Sequence, residues 1–363
     1  MNPFDYSSPT SIDEALADIA VRPRIEDRSG GTAKFIAGGT NLIDLMKERV
    51  MRPQALVDIN RLPLADIVAQ PGGGLSLGAL ARNADTAQHP LVREQYPLLR
   101  AAILAGASPQ IRNMASNGGN LLQRTRCYYF YDAGVPCNKH TPGSGCPAAT
   151  GLARQHAIFG ADERCIATHP SDMCVALAAL EAVVHVRSRT GTRAIAFDDF
   201  HRLPGERPDI DTTLADDELI THIELPAAAQ FSRHCTYLKI RERASYAFAM
   251  VSVAAAIDLA DDGTIRDARL ALGAVAHKPW RNRQAEQMLV GRPAHAASFA
   301  EAADLVMADA RAWGGPGLPD SLPGNGFKIP LARRAIARAL EMALAGVVSN
   351  TGEDAAQLPE AVQ

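Results

Sequence analysis

A cysteine-bearing segment between residues 110 and 148 constrains this chain more than any other part of its sequence. It reads QIRNMASNGGNLLQRTRCYYFYDAGVPCNKHTPGSGCPA, and it places a glycine-asparagine turn directly before Cys127, Cys137 and Cys146. A fourth cysteine, Cys165, follows, so four of the six cysteines fall in one short region. Six cysteines in 363 residues are too few for a disulfide framework. The clustering therefore indicates metal ligation.

The spacing of these four cysteines leaves the kind of metal centre open. The intervals of nine, eight and eighteen residues do not match the CxxC pairs of zinc ribbons and fingers. Four thiolates in a loop rich in glycine and proline can close around a tetrahedral ion or around an iron-sulfur cube. The nearby His140, His156 and His169 could each replace a thiolate, but the four cysteines already make a complete ligand set. Cys174 and Cys235 lie in apolar patterns typical of small buried side chains.

Two glycine turns are candidates for binding a phosphate-containing ligand. The first, AGGTN from Ala37 to Asn41, follows a short apolar strand and precedes a helical pattern. Glycines at such a position let successive amides approach a pyrophosphate at a helix start, although an ordinary strand-to-helix turn has the same composition. The second, SNGGN from Ser116 to Asn120, can donate amides and a hydroxyl, and it is also a general turn sequence. A third segment, THPSD, ends at Asp172 and predicts at least a helix cap.

Length and composition limit the classes of fold and partner. A chain of 363 residues favours two or three domains. The formal charge of -3 provides no basic field for nucleic acid, and no stretch has the run of apolar residues that a membrane helix needs. The first residues lack a basic segment followed by an apolar run, so we expect no export signal on this chain.

The hydrophobic pattern predicts an α+β fold with a boundary near residues 227–230. Helical patterns occur at residues 11–19, 91–105 and 172–182, and a strand, glycine turn, helix and strand occupy residues 35–59. Beyond the boundary, strands of an antiparallel sheet are predicted at 235–242, 251–263 and 265–276, with helices at 283–289, 297–310 and 331–345. Residues 202–217 are predicted to form a polar loop, and residues 347–363 are predicted to form a mobile tail.

Taken together, these segments resemble one protein family. The matching stretches are KFIAGGTNLIDLMK from Lys34, IRNMASNGGNL from Ile111, THPSDMCVAL from Thr168, YLKIRERASYAFAMVSVAAAI from Tyr237 and LALGAVAHKPWR from Leu270. In this order they resemble the FAD-binding medium subunit of molybdenum hydroxylases, the group that contains xanthine dehydrogenases, carbon monoxide dehydrogenase and aldehyde oxidases. The match spans nearly the whole chain and is more specific than either glycine turn alone.

The resemblance implies a FAD-binding domain of the PCMH type, in which two α/β subdomains enclose FAD, followed by a C-terminal antiparallel sheet with helices similar to that of the CO dehydrogenase flavoprotein. The expected ranges are 1–60 and 61–227 for the two subdomains, 228–346 for the C-terminal domain and 347–363 for the tail. The residues expected to contact FAD are Lys34, Phe35, Ile36, Ala37, Gly38, Gly39, Thr40, Asn41, Leu42, Ala115, Ser116, Gly118, Gly119, Asn120, Asp172, Ile220 and Lys239.

Individual roles follow from the same resemblance. The two glycine turns are expected to hold the FAD diphosphate without a covalent link, Asp172 to lie near the ribityl region, and Lys239 to approach the isoalloxazine. Periodicity alone also allows Lys239 to be a solvent-exposed lysine on a strand, because it alternates with the apolar Leu238 and Ile240.

The stretch at 126–165 departs from the xanthine dehydrogenase pattern, since most members of the family lack it. A cysteine-bearing insertion here resembles the FAD subunits of bacterial periplasmic aldehyde oxidases and of 4-hydroxybenzoyl-CoA reductases, and CNKHTPGSGCPA looks closer to the former. This resemblance implies that Cys127, Cys137, Cys146 and Cys165 ligate a 4Fe-4S cluster within the FAD domain.

The expected function is electron transfer in a heterotrimer with a molybdenum-cofactor large subunit and a 2Fe-2S small subunit. Electrons from an aldehyde would reach FAD and leave to an external acceptor. Periplasmic location by co-export with a signal-bearing partner is expected, with a cytoplasmic location as the alternative. Two alternative hypotheses for the function are a 4-hydroxybenzoyl-CoA reductase-like subunit and a zinc-stabilised nucleotide-binding regulatory module.

Overall fold

The structure is a computed structural model, and it describes residues 1–21, 33–314 and 324–350. In chain order the helices are α1 (Ile12–Ala20), α2 (Leu42–Lys47), α3 (Asn83–Gln88), α4 (Pro90–Gln95), α5 (Pro97–Ala105), α6 (Pro109–Arg112), α7 (Asn117–Leu121), α8 (Tyr128–Tyr131), α9 (Asp172–Ala179), α10 (Phe197–Phe200), α11 (Arg283–Leu289), α12 (Ala296–Met307) and α13 (Lys328–Leu344). The strands are β1 (Asp5–Ser7), β2 (Ala33–Ile36), β3 (Ala55–Asp58), β4 (Ile67–Ala69), β5 (Leu75–Gly78), β6 (Val183–Ser188), β7 (Gly191–Ala196), β8 (Leu219–Leu225), β9 (Cys235–Ile240), β10 (Val251–Leu259), β11 (Ile265–Gly273) and β12 (Trp280–Arg281).

The first sheet is parallel, with strand order β1-β3-β2. Helix α1 occupies the first predicted helical stretch and begins after Ser11, which forms a reciprocal capping box with Glu14. The predicted strand, glycine turn, helix and strand between residues 35 and 59 are present as β2, α2 and β3. Because β2 and α2 are joined directly by the glycines, the turn lies at the carboxyl end of a parallel strand, where such sheets commonly bind ligands.

The second sheet is antiparallel, with order β4-β5-β8-β6-β7. Its central strand β8 was not predicted, because it follows the polar segment 202–217 and its pattern is interrupted by histidine and threonine. A large core joins this sheet to helices α3, α5 and α9. The predicted helical stretch at 91–105 is divided into α4 and α5 at Pro97, which begins the second helix.

The third sheet has order β12-β11-β10-β9, is antiparallel throughout, and lies between two cores. Along β10, Ala254 and Ala256 face the core that contains α5 and α9, whereas Val253 and Ala255 face the core that contains α11, α12 and α13. The predicted C-terminal strands and helices are therefore present, and they are packed directly onto the helices of the preceding domain.

The first residues of the predicted tail are ordered against the third sheet. Tyr237 on β9 donates its backbone N–H to the Val348 carbonyl, and the Asn350 side chain exchanges two hydrogen bonds with the backbone of Lys239, at 2.9 and 3.0 Å. The remainder of that tail, residues 351–363, lies outside the described residues. None of the helices in the described ranges combines the length and apolar character that crossing a membrane requires.

Candidate functional site

A cavity of about 850 Å³ lies between the turn after β2, the start of α7, the start of α9 and the end of β9. This volume is within the range of cofactor sites. The residues assigned from the sequence that line it are Lys34, Phe35, Ile36, Ala37, Gly38, Gly39, Thr40, Asn41, Leu42, Ala115, Ser116, Gly119, Asn120, Asp172 and Lys239. Segments from distant parts of the sequence therefore converge on one site.

Two of the assigned residues, Gly118 and Ile220, lie behind this lining. The Gly118 amide donates to the Ala79 carbonyl at 2.8 Å, and a β-carbon on Gly118 would lie 3.2 Å from that of Ala79. Ile220 is buried in the large core on β8, opposite Val186. Neither residue is therefore part of the cavity lining.

The first glycine turn presents unpaired backbone donors. Within the part of the chain that the structure describes, the amides of Gly38, Gly39, Thr40 and Asn41 donate to no other protein group. Gly39 has φ of +70°, a left-handed conformation that glycine adopts without strain. Successive amides around such a turn form a concavity suited to an anion.

The two glycine turns touch each other through Gly38. A β-carbon on this residue would lie 1.9 Å from the Met114 carbonyl oxygen, which directly precedes the second turn. In that second turn, Ser116 caps α7 by accepting a hydrogen bond from the Gly119 amide at 3.2 Å. The absence of a side chain at Gly38 therefore sets how closely the two turns approach.

A buried amide network behind the second turn was missed by sequence reasoning. Asn120 donates to the Asn83 side chain at 2.7 Å and accepts from the Ser171 hydroxyl at 2.6 Å. Asn117 accepts from Asn83 at 3.0 Å. This network joins α3, α7 and the N-terminus of α9, so it fixes the second turn relative to Asp172. Isolated asparagines give no sequence signal of such pairing.

One buried side-chain atom at the cavity lacks a partner. Asn41 accepts a hydrogen bond from the Arg124 amide at 3.0 Å, but its Nδ2 is buried without a hydrogen-bond partner among the described residues. Together with the unpaired amides of the first turn, this donor fits a ligand that brings several acceptor oxygens, as the diphosphate of a dinucleotide does.

Lys239 and Asp172, which also line the cavity, form a buried ion pair. The Lys239 ammonium donates to Asp172 Oδ2 at 2.7 Å and to the Ala105 carbonyl at 2.9 Å. Tyr237 donates its hydroxyl to Asp172 Oδ1 at 2.6 Å. Lys239 is 2% exposed and Asp172 is 8% exposed. Lys239 is therefore not a solvated strand lysine.

The variant Lys239→Met is expected to lower the free energy of unfolding by about 3 kcal/mol, because it leaves the Asp172 carboxylate buried without its cation. The double variant Lys239→Met/Asp172→Asn should recover much of this loss, since the isolated charge is then removed. Urea unfolding of the three proteins measures both effects. A double variant that is less stable than the single one would contradict this account.

A second ionic cluster, also missed, joins the cysteine region to the cavity. Asp211 accepts from Arg124 Nε at 2.8 Å and from the buried Lys139 ammonium at 2.5 Å. Burial alone would raise the pKa of Asp211, but Lys139 and Arg124 together hold it well below its usual range. The segment 202–217 that was predicted as a plain polar loop therefore anchors the insertion.

The four cysteines of the insertion converge. Cys146 and Cys165 are close enough for their side chains to interact; this interaction lowers the pKa of Cys146 and, together with burial, raises that of Cys165 to about 11. Cys127 and Cys137 are both close enough to Cys165 for their charges to interact. Burial raises the pKa of Cys127 to about 12, so a neighbouring positive centre is needed to stabilise the thiolates.

Nearby backbone amides act to lower the pKa of three of these thiols: Phe130 and Tyr129 act on Cys127, Lys139 and His140 on Cys137, and Ile166 and Ala149 on Cys146. The amides of Phe130, His140 and Ala149 donate to the backbone carbonyls of Cys127, Cys137 and Cys146 at 3.1, 2.9 and 3.1 Å.

The buried Asn138 connects the three segments that contain Cys137, Cys146 and Cys165. Its side chain accepts from the Gly145 amide at 2.8 Å and donates to the Arg164 carbonyl at 2.7 Å. The residues next to Cys137, Cys146 and Cys165 are therefore held in one arrangement.

The remaining histidines and cysteines have different environments. His156 Nε2 lies 3.1 Å from Cys127 Sγ, and burial lowers the pKa of its ring to about 4. His140 contacts the Phe130 carbonyl at 2.8 Å. Cys174 and Cys235 are both in the large apolar core, as their sequence patterns predicted.

Comparisons with known proteins agree with this geometry. Residues 2–228 match the family model described as the FAD binding domain in molybdopterin dehydrogenase, and residues 236–317 match the CO dehydrogenase flavoprotein C-terminal domain. The chain is 49% identical to the aldehyde oxidoreductase FAD-binding subunit PaoB of Escherichia coli (strain K12), over 86% of this chain and 92% of that one. It is 29% identical to the glyceraldehyde dehydrogenase medium chain of Sulfolobus acidocaldarius, over 80% and 82% of the two chains.

The solved structures include a carbon monoxide dehydrogenase from Hydrogenophaga pseudoflava that superposes with a TM-score of 0.69 at 26% identity, over 95% of this chain and 98% of that chain. The α+β fold predicted from the sequence, with a FAD-binding domain followed by a CO dehydrogenase flavoprotein-like C-terminal domain, is therefore confirmed. This chain belongs to the family of FAD-binding medium subunits of molybdopterin dehydrogenases, and it is an oxidoreductase subunit.

Proposed function

We propose that this chain is the FAD and 4Fe-4S electron-transfer subunit of a heterotrimeric molybdenum-dependent aldehyde oxidase or dehydrogenase. The observation that carries the proposal is the convergence of four cysteine sulfurs in a chain that also contains a FAD-type cavity. The aldehyde as substrate class is supported by the relative that is 49% identical, an aldehyde oxidoreductase subunit.

In this proposal the two glycine turns bind the FAD diphosphate. The amides of residues 38–41 and Asn41 Nδ2 are the donors, and the close contact of Gly38 with Met114 brings the Ser116 turn to the same ligand. Lys239 and Asp172 lie toward the flavin end of the cavity and keep a fixed charge arrangement there. Bound FAD supplies the electron-carrying chemistry, and the chain positions it and tunes its potential.

Cys127, Cys137, Cys146 and Cys165 are proposed as the ligands of one 4Fe-4S cluster. A tetrahedral zinc ion with Zn–S bonds of about 2.3 Å would bring its sulfurs to about 3.8 Å from one another. Among the described residues, however, these sulfurs form no group of three within 4.8 Å. The wider spacing favours a cluster over a single ion.

The proposed partners are a molybdenum-cofactor large subunit and a 2Fe-2S small subunit. This chain would receive electrons from the small subunit and deliver them to an external acceptor. Its site of action is proposed as the periplasm, reached by co-export with a partner that carries the signal.

Purification with the associated chains tests the proposal. Denaturation should release FAD into solution, and analysis should find four irons and four acid-labile sulfides beyond those of the small subunit. Recovery of FMN, or of flavin still attached to the peptide, would contradict the cofactor assignment. One equivalent of zinc in place of the iron would instead support a zinc-stabilised regulatory module.

A further inference from the structure

A second, much smaller cavity lies between the cysteine cluster and the large cavity. Its volume is about 20 Å³, and Cys127, His156 and His169 are part of its lining. Arg126 and Pro170 line both cavities. The small cavity is therefore next to a proposed cluster ligand on one side and next to the proposed FAD site on the other.

Three residues that line this cavity each have an unpaired buried nitrogen. His156 Nδ1, His169 Nε2 and Arg126 Nε have no hydrogen-bond partner among the described residues. An unpaired buried polar group is costly, so each of these nitrogens calls for a partner such as a buried water molecule. A volume of about 20 Å³ is enough for one water, which typically makes about three hydrogen bonds.

The hydrogen-bond roles of these three atoms are mutually consistent with one water. The Ser171 amide donates to His169 Nδ1 at 3.4 Å, so the ring proton of His169 is on Nε2. Arg126 Nε is always a donor. A water that accepts from these two groups has its own protons free to donate to His156 Nδ1. The neutral His156 ring then carries its proton on Nε2, which is the atom 3.1 Å from Cys127 Sγ.

The backbone of His156 is also held in place. Its carbonyl accepts from the Lys328 ammonium at 2.9 Å and from Asn325 Nδ2 at 3.2 Å. Both donors are buried and belong to the segment that begins α13, in the C-terminal domain. The ring is thus fixed from its backbone, and a water at Nδ1 would fix it from its second nitrogen as well.

We propose that His156 is a positioning residue for the iron-sulfur cluster, donating an Nε2–H hydrogen bond to the Cys127 sulfur and oriented by one buried water shared with Arg126 and His169. This inference rests on the proposed function, because Cys127 must be a cluster ligand. A hydrogen bond to a ligand sulfur stabilises the more negative, reduced cluster, so it raises the reduction potential.

The test uses the complete assembled protein. The variant His156→Leu is expected to keep its irons and to shift the potential of the four-iron centre to a more negative value. A tenfold loss of preference for the reduced form corresponds to about 59 mV for one electron. His156→Gln retains an N–H donor and should shift the potential less. His222→Gln, on the outer face of the second sheet, should leave it unchanged.

If the His156→Leu variant does not assemble, a measurement on the wild-type protein tests the same hydrogen bond. With histidine labelled by ¹⁵N in its imidazole ring, pulsed EPR of the reduced cluster should detect one coupled ring nitrogen, and His156→Gln should abolish that coupling. Absence of the coupling in the wild type, or an unchanged potential in an iron-replete His156→Leu, would overturn the inference while the proposed function stands. Lack of the four additional irons in the wild type would defeat the proposed function itself.

A separate variant tests the role of the buried water. His169→Leu removes one donor to it and is expected to shift the potential in the same direction as His156→Leu, by a smaller amount. A potential equal to that of the wild type in this variant would overturn the water-mediated part of the proposal.

Discussion

The variant Gly39→Asp is expected to be purified without FAD. Gly39 is in the turn whose amides face the large cavity, so a carboxylate there would lie against the proposed diphosphate position. Two like charges about 4 Å apart near a protein surface repel by about 4 kcal/mol. That energy corresponds to about a thousandfold weaker binding. The measurement is the ratio of FAD to protein after gel filtration.

The matched control is Gly39→Asn, which has nearly the same size but no charge. Asparagine and aspartate both tolerate the left-handed conformation that φ of +70° requires, and both would press on the Ile43 side chain, 2.6 Å from the added β-carbon. Gly39→Asn should therefore lose part of the FAD, whereas Gly39→Asp loses nearly all of it. Equal FAD contents in the two variants would argue against a phosphate next to this residue.

The local elements of the site could be predicted from the sequence because they depend on neighbouring residues. The glycines at 38 and 39 follow an apolar strand, and Ser11 and Glu14 have the spacing of a capping box, so the turn and the helix start are encoded in a few positions. The four cysteines were identified from their clustering in the sequence, and the family resemblance implied that they ligate one cluster. The contacts that hold them together gave no sequence signal, because they depend on Asn138, whose side chain connects residues 145 and 164.

Contacts between distant segments gave no readable signal. The pairing of Lys239 with Asp172 joins residues 67 positions apart, and strand periodicity left Lys239 open as a solvated side chain. Asp211 was assigned only to a polar loop, although it binds both Arg124 and Lys139. Similarly, Gly118 and Ile220 were assigned to the FAD site through the family resemblance, and the structure places them behind the cavity lining. Such pairings depend on the tertiary fold, which a single sequence pattern does not specify.

The second large effect is expected at Cys146. The variant Cys146→Ser should lose the broad iron-sulfur absorbance together with four irons, or yield little soluble heterotrimer. Serine is a harder ligand than thiolate and suits an iron-sulfur centre poorly. In addition, the Cys146 side chain interacts with that of Cys165, so the substitution removes one sulfur from the convergent set. Iron and sulfide analysis, together with the visible spectrum, measures the loss.

Cys174→Ser provides the comparison because Cys174 is a buried cysteine that lies in α9, outside the insertion. Its sulfur is within 4.8 Å of ring nitrogens of His169 and His201, so this residue is the one cysteine outside the insertion with potential metal ligands nearby in the described chain. Burying a hydroxyl there should cost about 1 to 3 kcal/mol of stability while the iron content is unchanged.

Retention of the four irons in Cys146→Ser, or their loss in a folded Cys174→Ser, would refute the ligand assignment. The cluster-free variant also separates the structural role of the cluster from a role in electron transfer. The insertion is fastened to the cavity by Asp211, so loss of the cluster is expected to weaken FAD retention through the fold. Relatives that lack the insertion are expected to pass electrons to FAD without it, which favours a mainly structural role for the cluster. A cluster-free variant that still binds FAD and reduces it at the wild-type rate would therefore place the cluster outside the obligatory electron route.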